Sequence, residues 1–124
     1  MIVTVVVGLV LAYFWVFRRE PVARAIVIPE LSEAARAGKQ LFDRSCAICH
    51  GENARGSEKG PTLIHKTYHP NHHADISFEL AVRNGVRAHH WLFGDMPPQP
   101  AVTSAEVSQV TQYIRELQKA NGVF

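Results

Sequence analysis

The sequence predicts an all-α domain, and three observations predict it. The segment "TSAEVSQVTQYIRELQKANG" sets Val107, Val110, Ile114 and Leu117 on one face of a 3.6-residue period. The segment "LSEAARAGKQLFDRSC" does the same with Leu31, Ala34, Ala35, Gly38, Leu41 and Phe42. No stretch alternates apolar and polar residues over the length a strand needs, and there is no internal repeat. The 124 residues suffice for one domain of ordinary size.

The first element is a run without charge over residues 2–17, stopping at "RRE". As a helix these sixteen residues span roughly 24 Å, against roughly 30 Å for the hydrocarbon core of a bilayer. Tyr13, Phe14 and Trp15 near its end suit the aromatic belt of a membrane interface. A cleaved signal is the competing reading, although the sequence shows neither a basic stretch before the apolar run nor a small-residue site after it. The expected organisation is therefore a transmembrane anchor or uncleaved signal over 1–19, a connector over 20–30, and a folded domain over 31–124.

Within that domain, Ser32 is a fitting N-cap for the first helix. "HGENARGSEKGPTL" is a loop broken by Gly51, Gly56, Gly60 and Pro61. "HKTYHPNHHAD" is expected to stay irregular, since Pro70 forbids a helix through it. "ISFELAVRNGV" reads as a short amphipathic helix with Phe78, Leu80, Ala81 and Val82 as its apolar set and Gly85 as its C-terminal stop. "FGDMPPQP" must be extended, because Pro97, Pro98 and Pro100 restrict the backbone. The last helix opens on a capping box, Thr103 with Glu106, and closes with Lys119 and then Gly122.

Charge excludes one class of partner. From residue 30 onward ten basic side chains balance ten acidic ones, and the net charge of +2 reflects Arg18, Arg19 and Arg24 beside the apolar run. No basic footprint for nucleic acid is present. The folded part is also thin in aliphatic core residues, and so small a domain needs something else at its centre.

Both cysteines lie in "CAICH", as Cys46 and Cys49, and His50 follows directly. A thioredoxin-type pair would open a helix after a strand, whereas here a helix precedes it. A structural zinc site needs four protein ligands, more than two cysteines supply. A disulfide across two intervening residues closes too small a loop to stabilise much. Cys-x-x-Cys-His as a haem-attachment signal accounts for every part: two thiols for the two vinyl groups, and an adjacent imidazole for the iron.

At these residues the sequence resembles the class I monohaem c-type cytochromes, over about residues 31–121. "AGKQLFDRSCAICHG" resembles the family's first helix running into the haem motif, "GPTL" its following loop, "MPP" its distal loop and "YIRELQ" its last helix. The resemblance implies one covalent haem c bound through Cys46 and Cys49, with His50 and Met96 as axial ligands. It also implies that the Pro61 carbonyl orients His50, and that the first and last helices cross at Gly38, Phe42 and Tyr113. Chemistry supports Met96 separately, because a neutral thioether favours ferrous iron and raises the potential. The rival sixth ligands are His89 and His90. Trp91, between that pair and Met96, is expected against the haem edge or a propionate, with its indole N–H needing a partner if buried. Arg83 and Arg87 are expected to be solvated, with propionate pairing the alternative.

Seven histidines is a high count, and five lie within residues 68–91. Most are expected to bond backbone carbonyls or propionates or to be exposed. A sharper reading is a second metal site for copper or zinc, drawn from His69, His72, His73 and Asp75 with His89 or His90.

These readings converge on a one-electron carrier without bond chemistry of its own. Its domain faces the periplasm from the bacterial inner membrane, and it works between a redox-protein donor and acceptor or within an integral membrane complex. That orientation puts Arg18 and Arg19 outside too, against the positive-inside tendency. Two other classes stand beside it: a haem-based sensor, and a haem protein coupled to copper handling through its histidine loop.

Overall fold

A computed structural model describes residues 25–124, and they form an all-helical fold. Four α-helices follow one another: α1 Glu33–Ser45, α2 Ala47–His50, α3 Asp75–Asn84 and α4 Ser104–Ala120. Short 3-10 turns at Glu52–Ala54 and Lys66–Tyr68 shape the chain between α2 and α3. The β-type pairing among the described residues is a single antiparallel bridge between Val86 and Met96. Among the described residues no helix is long and apolar enough to cross a membrane. The anchor expected over 1–19 lies outside them.

α1 begins where Ser32 Oγ accepts the Ala35 N–H, which satisfies one of the donors a helix start leaves unpaired. It stops at Ser45, one residue before the first cysteine. Cys46, at φ −119°, turns the chain so that α2 starts as a separate helix, while its own N–H still reaches Phe42 O. α4 opens on the capping box: Glu106 N–H donates to Thr103 Oγ1, and the Glu106 carboxylate accepts the Thr103 N–H at 2.9 Å.

α1 and α4 cross face to face. The core joins Ala35, Leu41 and Phe42 of α1 to Val110, Tyr113, Ile114 and Leu117 of α4, with Ala54 from the intervening loop. Gly38 makes the approach possible, since a Cβ there would lie 1.9 Å from the backbone oxygen of Gln109. Beside it Phe42 meets Tyr113 edge to face, with ring centroids 5.6 Å apart. Tyr113 also donates its hydroxyl to Asn53 Oδ1 at 3.2 Å, which ties the crossing to the loop after α2.

α3 corrects one expectation. Phe78 packs on the core, but Leu80 is 42 % exposed, and so is not part of the buried face. Positions two apart on a helix do not share a face, whereas Phe78, Ala81 and Val82 do. The described part of the connector lies on the chain itself. The Asn121 side chain both accepts from Val27 N and donates to Val27 O, each at 2.8 Å.

Candidate functional site

The turn between α1 and α2 places three reactive side chains within five residues. Cys49 N–H and His50 N–H both donate to Cys46 O, at 3.1 and 2.9 Å, so the two thiols and the imidazole belong to one helical turn. Both cysteines are free thiols and half-buried. Burial, and then the neighbouring Cys49, push the Cys46 thiol up to about 11. It is therefore protonated at neutral pH and acts as an S–H group.

The loop after α2 closes around this turn by backbone contacts. Gly51, at φ 73°, reverses the chain, and Gly56 N–H donates to His50 O at 2.7 Å. Ser57 Oγ donates to Cys49 O at 2.6 Å. Gly60 lies against the same peptide, where a Cβ would come within 2.9 Å of Cys49 O. These contacts present the Pro61 carbonyl to His50, whose Nδ1–H donates to it at 2.9 Å. Burial holds His50 below its ordinary pKa, and the bond to Pro61 opposes that in part. The ring is thus neutral, with Nδ1 carrying the proton and Nε2 keeping its lone pair, the form that binds a metal.

Met96 is held from the other side of the sequence. Its N–H donates to Val86 O and its carbonyl accepts the Val86 N–H, both at 2.9 Å. The stretch is therefore fixed by a bridge to the residue two past the end of α3, besides the rigidity of Pro97 and Pro98. Gly85 allows the approach, because a Cβ there would meet Met96 O at 2.5 Å. Asp95 Oδ1 accepts the Ala88 N–H at 2.8 Å and closes the intervening loop.

Trp91 is half-buried and donates its indole N–H to Tyr68 Oη at 3.0 Å, with His65 edge-on at 5.1 Å. Burial raises the Tyr68 pKa, and this bond opposes the rise. Arg83 and Arg87 are exposed.

Of the six residues drawn into the sharper metal reading, the structure brings three together. One ligand atom each from His72, His73 and His90 lie within 4.8 Å of one another. His69 is turned elsewhere: its Nδ1 accepts the Asn71 N–H and its ring stands edge-on to Phe124. Asp75 pairs with Arg115 at 2.8 Å, and His89 Nδ1–H is given to Arg87 O.

Arg115 had no distinguishing mark in the sequence and organises this whole region. From α4 it donates to Tyr68 O, His73 O, Asp75 and Gln118, and its guanidinium stacks over Phe78 at 5.0 Å. Gln118, fully buried, donates to Leu63 O at 2.8 Å.

The thiol pair, the oriented neutral imidazole and the glycine-cleared backbone are a donor set that fits a covalently attached haem. Comparison with known proteins agrees. A family model described as Cytochrome c matches residues 35–118. The chain is 35% identical over 91 residues to the cbb3-type cytochrome c oxidase subunit CcoP of Rubrivivax gelatinosus, which covers 71% of this chain and 27% of that one. It is 50% identical over 46 residues to the cytochrome bc1 complex cytochrome c subunits of Mycobacterium bovis and Mycobacterium tuberculosis, covering 36% of this chain and 16% of theirs. The chain thus spans about a quarter or less of the length of these relatives. No solved structure matches.

Proposed function

The chain belongs to the cytochrome c family, whose members carry covalent haem c, and from that premise we propose that it is a one-electron carrier with His/Met axial ligation. The haem, when bound, supplies an iron that cycles between ferric and ferrous states. Cys46 and Cys49 hold it by thioether bonds. His50 Nε2 would ligate the iron, its ring aligned by the Pro61 carbonyl, and the Met96 thioether would supply the second protein ligand. The observation that carries this reading is the 2.9 Å bond from His50 Nδ1 to Pro61 O, made within the same turn that presents both thiols.

Met96 is favoured over His89 and His90 because it is half-buried and its backbone is held by the bridge to Val86, whereas both histidines are exposed. A ligated sixth position closes the iron to oxygen and peroxide, which suits electron transfer rather than substrate chemistry. The protein acts at a membrane, by an anchor over residues 1–19, with its haem domain in the periplasm. The relatives named as subunits of a cbb3-type oxidase and of bc1 complexes support a donor and acceptor of the respiratory kind, or membership of such a complex.

The test is a pair of absorption spectra, oxidised and reduced, of protein from a host with c-type haem maturation, beside Met96→Ala. A weak sulfur-to-iron charge-transfer band in the ferric wild type, absent from the variant, is the expected result. A wild type without the band, or one that takes up CO readily, would overturn His/Met ligation.

A further inference from the structure

We propose that His72, His73 and His90 form a zinc(II) site of their own, separate from the haem thiols and with one coordination position left open. Three imidazoles from two stretches of chain, seventeen residues apart at their nearest members His73 and His90, converge here. Among the described residues they are the one set of three potential ligand side chains whose donor atoms do so.

The spacing of one ligand pair suits zinc. The Nε2 atoms of His72 and His90 are 3.4 Å apart, long for an N–H···N hydrogen bond. Two nitrogens bound to one tetrahedral zinc at about 2.0–2.1 Å stand about 3.3 Å apart. The right angle of a tetragonal copper(II) site would bring them to about 2.9 Å. The observed separation fits two of the ligands of a tetrahedral ion, with His73 still to close.

The third ligand is prepared and the frame is held. His73 Nδ1–H is given to Thr67 O at 2.7 Å, which leaves Nε2 with the free lone pair. Metal binding needs His73 to close from within 4.8 Å, a distance that side-chain torsions cover. Arg115 fixes the backbone that carries the ring by its bonds to Tyr68 O and His73 O. Asp75, the nearest carboxylate in sequence, is already paired with that guanidinium, so the ligand set is nitrogen alone. A bound cation would tie residues 72–73 to the stretch that leads into Met96.

The experiment titrates zinc sulfate into the haem-loaded protein and follows bound zinc by equilibrium dialysis, with the haem spectrum recorded alongside. Expected are one zinc per haem and an unchanged axial-ligand spectrum. Affinity should fall about ten-fold or more in His72→Ala and in His90→Ala, both at exposed positions, and stay unchanged in His69→Ala. Failure to bind an equivalent of zinc overturns the proposal, as does undiminished binding in His72→Ala. Uptake of copper(II) without zinc overturns the tetrahedral assignment. Since haem content and the axial spectrum are read separately, loss of the zinc site is distinguishable from loss of the electron-carrier reading.

Discussion

At the crossing of α1 and α4 two helices touch because their surfaces fit, while in residues 65–96 the chain is held by a few hydrogen bonds to places far away in sequence. The first region buries Phe42, Tyr113, Ile114 and Leu117 completely. The second buries no side chain to that degree: α3 has no fully buried residue, and Leu92, Phe93, His89 and His90 are exposed. Yet both supply parts of the proposed haem site, the thiols and His50 from the end of α1 onward, and Met96 from the end of the second region. One half is thus fixed by packing and the other by polar anchoring, and each should fail in its own way.

Gly38→Ala should have the largest effect, because the added methyl meets the backbone of α4 at 1.9 Å rather than a side chain that can move. The helices must separate along the crossing, at a cost on the order of 4 kcal/mol. Haem content per protein and the denaturant midpoint should fall together. A variant with full haem content and an unchanged midpoint would show that the crossing is not set by shape.

Arg115→Met probes the other half. It keeps the apolar stem but leaves Tyr68 O, His73 O and the Asp75 carboxylate without their donor. The guanidinium bonds are charge-assisted, so the loss should be roughly 2–3 kcal/mol. The comparison predicts a separation of readouts. The near-ultraviolet signal of Trp91 and Tyr68 should change and zinc affinity should drop, while haem attachment at Cys46 and Cys49 persists. If haem attachment fails as completely as in Gly38→Ala, the two regions are one cooperative unit.

The two regions were also unequally legible from sequence. Period, caps and glycine placement were enough for α1, α3 and α4, because each helix carries its signals within its own residues: Ser32, Gly85, Thr103 with Glu106, and Gly122. The motif assigned to haem stood out because its chemistry is local, five residues in a row. The second region was not, since its structure depends on partners distant in sequence. Nothing in "QYIREL" marks Arg115 as the donor to a loop more than forty residues back, and "VR" and "DM" carry no alternation that announces the Val86–Met96 bridge. Asn53 and Ala54, at φ 52° and 59°, were equally invisible, because a left-handed alanine has no sequence signature. Of the histidines, composition said only that there were many; which three meet depends on the fold of two loops.

A smaller test lies at the edge between the regions. Trp91→Phe keeps a ring edge-on to His65 but removes the donor to Tyr68 Oη. The expected loss is about 1 kcal/mol. The Tyr68 pKa should rise further, since the Trp91 bond works against the effect of burial. Ultraviolet titration of the tyrosines reads this directly. A Tyr68 that titrates earlier in the variant would mean that the ring has opened to water and that Trp91 holds this edge by packing rather than by its N–H.

The smallest effect belongs to the cap of α4, and its sign with pH sharpens the contrast between packed and polar regions. Thr103→Ala removes the side-chain acceptor for Glu106 N–H and should cost about 1 kcal/mol. The bonds from the Thr103 backbone and then its hydroxyl hold the Glu106 carboxyl below its ordinary value of 4.5. A carboxylate with a depressed folded pKa adds stability that is present above the unfolded value and is lost as pH falls through the folded one. The gap between wild type and Thr103→Ala should therefore be widest at neutral pH and narrow below about 4.5 as Glu106 takes up a proton. Gly38→Ala, whose defect is steric, should keep its full gap across the same range. Denaturant midpoints of the three proteins at pH 7 and pH 3.5 make the comparison, and a Thr103→Ala gap that does not shrink in acid would remove Glu106 from the cap.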